Sequence, residues 1–235
     1  MKHSLLIVLI VSIFSSCSKD DSTPIKKISP QFMSNIVYED MTDQEGNTYK
    51  TLTIGTQTWM AQNLRSTKYN DGSVIAYSSL ETININVFSG KYCTYNNTTN
   101  KDSIVALGNL YNWYAVNTSK LAPIGWHVAS ETDWKTLIVY LGGEEVAGGK
   151  LKENGIINWR TPNSGATNET GFTALPGGLC DNNLKSQDIG NYGYWWSATE
   201  VNGSVYARQI IFGSSSVDSY NFGKDWYFSV RCVKN

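Results

Sequence analysis

The apolar positions of this chain fall into blocks of different rhythm, and each rhythm predicts a different kind of segment. Residues 5–10 are uninterruptedly apolar, and the run continues through Val11, Ile13 and Phe14 behind a basic Lys2. About 10 apolar residues are too few to cross a hydrocarbon core about 30 Å thick, so this block predicts the h-region of a secretory signal. Residues 49–54 alternate with period two, Gly55-Thr56 breaks them and 57–61 resume, which predicts a β-hairpin. Helical spacing occurs twice. Leu107, Leu110, Tyr111 and Tyr114 share one face of a helix predicted over 107–116. Trp134, Leu137, Ile138 and Leu141 share the face of a second helix, which Ser130-Glu131-Thr132-Asp133 opens as a capping box and Gly142-Gly143 closes. A shorter helix over 144–152 is weakened by Gly148-Gly149, at about 1 kcal/mol per glycine. Aromatic and β-branched runs at 194–199, 205–212 and 226–233 predict consecutive antiparallel strands. An N-terminal hairpin, two main helices and a C-terminal meander make an α+β domain.

The polar residues next to these blocks set the boundaries. Ser15 and Ser16 precede Cys17, the arrangement of a bacterial lipobox, so 1–16 is expected to be a signal peptide and Cys17 the lipidated first residue of the mature chain. Two or three acyl chains on one terminus anchor firmly where a single chain does not. Ser18, Lys19, Asp20 and Asp21 resemble the Lys/Ser-plus-acidic export signal of Bacteroidota lipoproteins that face outward from the outer membrane. The plainer alternative is a solvated polar tether. Residues 17–40 mix Pro24, Pro30 and isolated apolar residues without period and predict a flexible tether, with the domain expected over 41–235.

Composition removes many functions. Charged residues make up 17% of the chain and nearly cancel, at a net −1, so no field favours nucleic acid or anionic lipid. Eight Trp and 14 Tyr predict a rigid aromatic core in place of a disordered stalk. The two histidines are His3 and His127, and no C-x-x-C pair exists, which excludes a His-rich zinc centre. A Ser-His-Asp triad would have to use His127, yet no G-x-S-x-G context accompanies it. The glycine pairs lack the lysine of a phosphate loop, and basic residues do not interleave with aromatics. No catalytic residue, no nucleic-acid partner and no cofactor is expected, beyond a structural calcium ion.

Four groups of residues remain as candidates. Among Cys93, Cys180 and Cys232, two would pair in an oxidising compartment, and the strand-like setting of Cys232 makes it the expected member of whichever bridge forms; the sequence leaves the pairing open. Trp126 and Trp134 are expected in the core. Strand alternation turns one of Trp195 and Trp196 inward and leaves Trp196 as a surface candidate, alongside Asn182, Asn183 and Tyr192, for ligand contact. The loops 74–100 and 180–194 are the expected contact surfaces. Asn168, Glu169, Asp181 and Asp188 could supply oxygen ligands to calcium, although no E-P-N or Q-P-D motif accompanies them.

The segments TDQEGNTYKTLTIGTQTWMAQNLRSTKYNDG, LGNLYNWYAVNTSKLAPIGWHVASETDWKTLIVYLGG, GATNETGFTALPGG, YWWSATE and FSVRCV follow one another from about 41 to 235. In that order they resemble the Fibrobacter succinogenes major paralogous domain family. The resemblance implies a bacterial surface protein without established enzymatic activity. The GWHV–helix and WWSATE–strand–RCV order is also similar, more loosely, to C-type-lectin-like domains, including the sulfatase-modifying-factor group. That likeness implies a small twisted antiparallel sheet with long irregular loops. Two positions depart from the family: Ala122 where it often has Cys, and Ala129 where it usually has Pro. The first removes a bridge to Cys232 and leaves Cys180 as a substitute partner. The expected function is a non-catalytic outer-membrane lipoprotein, held by its N-terminal lipid and facing the exterior, that binds a glycan or protein ligand through its loops. The alternatives are a structural cell-surface or matrix component without specific ligand, and an oxidase of the sulfatase-modifying type.

Overall fold

The computed structural model describes residues 28–82 and 88–235. The signal, Cys17 and the Ser18, Lys19, Asp20 and Asp21 segment lie outside the described residues. Among the described residues no helix is long and apolar enough to cross a membrane.

Strand Glu39–Thr42 (β1) pairs with Thr48–Ile54 (β2), which turns through Gly55-Thr56 into Gln57–Met60 (β3), so the alternation at 49–61 folds as the predicted hairpin. Next come Ala76–Tyr77 (β4), Lys91–Cys93 (β5), helix Lys101–Leu107 (α1), Leu110–Asn112 (β6) and the short helix Trp113–Val116 (α2). Trp126–Val128 (β7) leads into Glu131–Tyr140 (α3) and Glu144–Leu151 (α4). The C-terminal part holds Leu179–Cys180 (β8), Ser186–Gln187 (β9), Tyr192–Val201 (β10), Ser204–Ile211 (β11), Asp218–Phe222 (β12), Tyr227–Phe228 (β13) and Cys232–Lys234 (β14).

The α+β class stands, but the strands form three sheets where a single small one was expected: β1-β2-β3-β14-β7, β10-β11-β12 and β4-β5-β6-β13-β8-β9. One pair, β4 with β5, is parallel. The predicted C-terminal meander is broken, because the run at 226–233 is shared between two sheets. Tyr227–Phe228 inserts between β6 and β8, while Cys232–Lys234 inserts between β3 and β7, with Val233 opposite both Trp59 and His127.

The capping box of α3 is present as read. The Ser130 side chain accepts from the Asp133 backbone N–H, and the Asp133 carboxylate accepts from the Ser130 N–H. The helix expected over 107–116 does not form. Gly108 stops α1 with φ of +77°, where a Cβ would lie 2.6 Å from Asn63 Cβ and 2.7 Å from Leu64 O. Leu110–Asn112 then pairs with β5 and β13, and helix resumes only at Trp113, capped by Asn112. Tertiary pairing overrides the helical spacing.

Two large apolar clusters form, and several strands feed both. Trp59 of β3, Val233 of β14 and Trp195 of β10 enter one cluster, with Trp134, Leu137, Ile138 and Phe172. Their chain neighbours Met60, Cys232 and Trp196 enter the other, with Tyr111, Trp113 and Phe228. Alternation therefore buries both faces of these strands, and Trp195 and Trp196 are each fully buried. The segment expected as tether also joins the core. Phe32, Ile36 and Tyr38 pack on the Trp134 cluster, the Gln31 N–H donates to Glu153, and the Tyr38 hydroxyl donates to Gly171 O at 3.0 Å. Isolated apolar residues without period can thus be anchors, each filling a separate gap.

A polar hub links the two clusters. Arg231 is fully buried with no carboxylate among its hydrogen-bond partners. Its Nε donates to Asn63 Oδ1 at 2.7 Å, Nη1 to Met60 O and Phe172 O, and Nη2 to Thr173 O. Asn63 Oδ1 also accepts from Trp195 Nε1 at 2.8 Å, while its amide donates to Leu107 O and Ser229 Oγ. Burial pulls the Arg231 pKa down to about 9, so the guanidinium is still charged at neutral pH.

Two substitutions test this framework. Arg231→Met removes four buried hydrogen bonds, leaving Asn63 Oδ1 with the Trp195 indole alone, and should lower unfolding free energy by about 3–5 kcal/mol, read from the urea midpoint. Gly148→Ala places a Cβ 2.1 Å from Ser216 O on a backbone that has no room to yield. A loss of about 3 kcal/mol is expected in the same assay, and a midpoint within error of the parent chain would contradict the packing described.

Candidate functional site

A groove of about 570 Å³ opens between the turn after β1, the loop after β3 at Arg65 and the segment from β5 to α1. Its walls combine Tyr77, Tyr92, Ile104 and Val105 with Asn47, Arg65, Thr98, Thr99, Lys101 and Asn109. Roughly 300–1,000 Å³ of mixed apolar wall with a few converging polar groups is the usual make-up of a small-ligand site.

The first wall is built by one buried carboxylate. Asp43 Oδ1 accepts from the backbone N–H groups of Glu45 and Asn47 at 2.9 Å each. Its Oδ2 accepts from Asn47 Nδ2, the Tyr49 hydroxyl and Ser66 Oγ, the last at 2.6 Å. Burial alone would raise its pKa, but the donors from Ser66, Asn47 and Tyr49 outweigh it and hold Asp43 below the ordinary carboxylate value. Glu45 then reaches across the turn: Oε2 accepts from the Thr67 and Lys68 N–H groups and Oε1 from the Thr67 hydroxyl. Arg65 lies over the Tyr49 ring at 4.3 Å and donates from Nη2 to Thr48 O at 2.8 Å.

The second wall is aromatic and hydroxyl-rich. The rings of Tyr77 and Tyr92 meet edge to face at 5.2 Å. Tyr77 is 39% exposed, and its hydroxyl donates to Asn97 Oδ1 at 3.2 Å. Burial, with the nearby Tyr77, raises the Tyr92 pKa, so its phenol keeps its proton at neutral pH. Thr99 and Lys101 are exposed at the rim, where Asn100 caps α1 by accepting from the Ser103 N–H. Glu45 is the one acid among the lining residues, and both its oxygens are occupied.

Two other depressions are weaker candidates. One of about 700 Å³, between the β2–β3 turn and the outer face of α3, is larger and mixes Ile54 and Val139 with Thr56, Thr132, Lys135 and Thr136, but Tyr140 is the one ring in its lining. One of about 280 Å³ lies on the three-stranded sheet beside Tyr192, Gln209 and Asp218.

The residues singled out from sequence are dispersed. Loop 74–100 supplies Tyr77, Tyr92, Thr94, Thr98 and Thr99 to the groove, apart from residues 83–87, which lie outside the described residues. Trp196 offers no face to a ligand: its Nε1 donates to Tyr111 O at 2.7 Å, and its ring packs on Phe228. Tyr192 stacks on Tyr194 at the smaller depression. Asn182 and Asn183 are exposed elsewhere, with Asn182 Nδ2 directed at Asp225. Glu169, Asp181 and Asp188 do not converge, since no group of three His, Cys, Asp or Glu side chains gathers among the described residues. Buried Asn168 is bonded to Thr173, Glu169 pairs with Lys150, Asp181 closes its own turn, and Asp188 accepts from the Tyr194 hydroxyl.

His127, Asp133 and Ser130 do meet, but Asp133 occupies the middle. His127 Nε2 lies 3.0 Å from Asp133 Oδ2 and Nδ1 lies 2.7 Å from Asn235 Oδ1, while the Ser130 hydroxyl donates to Asp133. A serine bonded to the acid has no base to take its proton, so the cluster caps α3 and does not form a triad. All three cysteines of the domain are buried thiols; Cys93 and Cys180 share one small cluster, and Cys232 lies in another. Cys232, the expected bridge member, does not share the cluster of Cys93 and Cys180.

Tyr77 and Tyr92 fall within the 74–100 loop expected as a contact surface, whereas Arg65 and Asn47, from other parts of the chain, carry no local signal for the groove. The one available signal was the density of Tyr, Asn and Thr over 92–100. The sequence model of the Fibrobacter succinogenes major domain matches residues 52–234. No curated protein and no solved structure matches the chain.

The Asp43 cluster yields a pH test. Because the folded-state pKa is depressed, the carboxylate contributes stability above its unfolded value near 3.8, and this is lost as pH falls through the lower folded value. Asp43→Asn should cost about 2 kcal/mol at pH 7, with the gap to the parent chain shrinking below pH 4 in denaturant titrations. A gap that is constant from pH 7 to pH 3 would refute the assignment.

Proposed function

The chain belongs to the Fibrobacter succinogenes major domain family, and from that premise we propose that it is a non-catalytic, lipid-anchored surface protein that binds a glycan through the groove of Tyr77, Tyr92 and Arg65. The groove carries this reading. Tyrosine faces suit the C–H surfaces of a sugar ring, while threonine hydroxyls, amides and cations suit its hydroxyl groups. The bound carboxylate of Glu45 supports recognition over turnover. The lectin-like reading of the fold rests on the order of the GWHV, WWSATE and RCV motifs, and the outer-membrane, outward-facing location on Cys17 and the Ser18-Lys19-Asp20-Asp21 run. A protein ligand is the neighbouring alternative, because an open groove with an exposed tyrosine also suits a peptide.

Glycan-array screening followed by calorimetry tests the proposal. A sugar found this way should bind Tyr77→Ala about tenfold more weakly, a loss near 1.4 kcal/mol, with an unchanged thermal melt. Equal affinity for the variant, or silence of the folded protein on glycan and peptide arrays alike, would remove the groove from the account and favour the purely structural role.

A further inference from the structure

We propose that Cys93 and Cys180 close an intramolecular disulfide that staples β5 to the β8–β9 hairpin, leaving Cys232 as the free thiol of the domain. The inference is independent of what the groove binds.

The geometry comes from the six-stranded sheet. Cys93 stands opposite Leu110, and Cys180 stands opposite Tyr227. These four residues, with Leu184, form a separate apolar cluster against which Tyr95 packs. Although β6 and β13 separate β5 from β8 in strand order, the Cys93 and Cys180 side chains enter this same cluster. The two thiols face each other there, Cys93 donating towards Cys180. The flanking backbone is already clamped without any covalent link. The Asn96 N–H donates to Ser186 Oγ at 2.7 Å, and Ser186 is the strand partner of Cys180. Gly178 sits so close to the Tyr95 ring that a Cβ would approach it at 3.0 Å. Cys232, by contrast, sits opposite Val128 in the Trp196 cluster with Ala122.

The chemistry assigns an order to the two sulfurs. Burial pushes the Cys93 thiol well up, whereas the hydrogen bond from Cys93, aided by Ser186, holds Cys180 below the ordinary thiol value. The Cys180 thiolate is thus the attacking group. It displaces one thiolate from a small disulfide oxidant, forming a mixed disulfide. The Cys93 sulfur, losing its proton to solvent, then displaces the second thiolate and closes the bridge. Two cysteine thiols are oxidised by two electrons, and one oxidant disulfide is reduced to two thiols. Both sulfurs are buried, so the oxidant meets them late in folding, once the Cys93–Cys180 contact has formed and before the cluster closes over it, and the closed bridge is shielded from reductant.

The test uses the full chain carrying Cys17→Ser, reduced, unfolded and refolded in oxidised and reduced glutathione. Non-reducing peptide mapping should find one linkage, Cys93 to Cys180, with Cys232 alkylatable after unfolding. Because the bridge closes a loop of roughly 90 residues, reductant should lower the melting temperature by about 5–15 °C. The added variant Cys232→Ser should keep that sensitivity and Cys180→Ser should lose it. A linkage through Cys232, or three free thiols after oxidative refolding, overturns the proposal. If Cys180→Ser does not fold, the peptide map decides alone.

Discussion

The buried guanidinium of Arg231 is the constraint on which the rest of the structure depends. It carries a charge into the interior without a compensating carboxylate, which is tolerable only because main-chain carbonyls and Asn63 are held where its donors point. Those acceptors come from the end of β3 and from the 172–173 loop, while Arg231 itself immediately precedes β14. A single side chain therefore fixes how the N-terminal hairpin, the central loop and the last strand meet. Asn63 completes the arrangement by accepting the Trp195 indole and donating to Leu107 O. The same solution recurs at Lys152, fully buried, whose ammonium donates to the carbonyls of Ser164, Ile211 and Ser214, and whose pKa burial lowers to about 8. In a domain so rich in irregular loops, buried cations gather carbonyls that no ladder would otherwise satisfy.

Around this hub the strands serve two cores at once. Adjacent residues Trp195 and Trp196 each lie in a different cluster, and so do Trp59 and Met60, and Cys232 and Val233. Turns and loops share the surface with the outer strands β1 and β12 and the outer face of α3. The walls of the groove come from the turn after β1, the loop after β3, strand β5 and the start of α1. Its most ordered wall depends on Asp43, whose carboxylate plays on a small scale the part Arg231 plays on a large one: a buried charge fully met by donors.

Local patterns were legible where local physics decides. Ser130 to Leu141 shows its cap, its apolar face and its stop in consecutive residues, and α3 follows them. The hairpin at 48–60 is equally local, needing only alternation and a turn. The helix expected over 107–116 failed because Leu110 and Tyr111 have strand partners far away in sequence, and because Gly108 is pressed against Asn63 and Leu64. Trp196 was misplaced for a related reason: alternation tells which residues share a face, and it cannot tell that both faces of a strand are covered.

The sequence by itself determined the α+β class, the family motifs, the scarcity of histidine and cysteine, and the aromatic wealth of the core. These depend on composition and on spacing within a few residues. The tertiary structure alone decided which cysteines meet, which tryptophans are hidden, and that Tyr77, Tyr92, Arg65 and Asn47 share a groove. Those outcomes are set by contacts between segments distant along the chain, whose pairing is chosen by global packing and by the need to satisfy buried charge, neither of which leaves a periodic trace in the residues concerned.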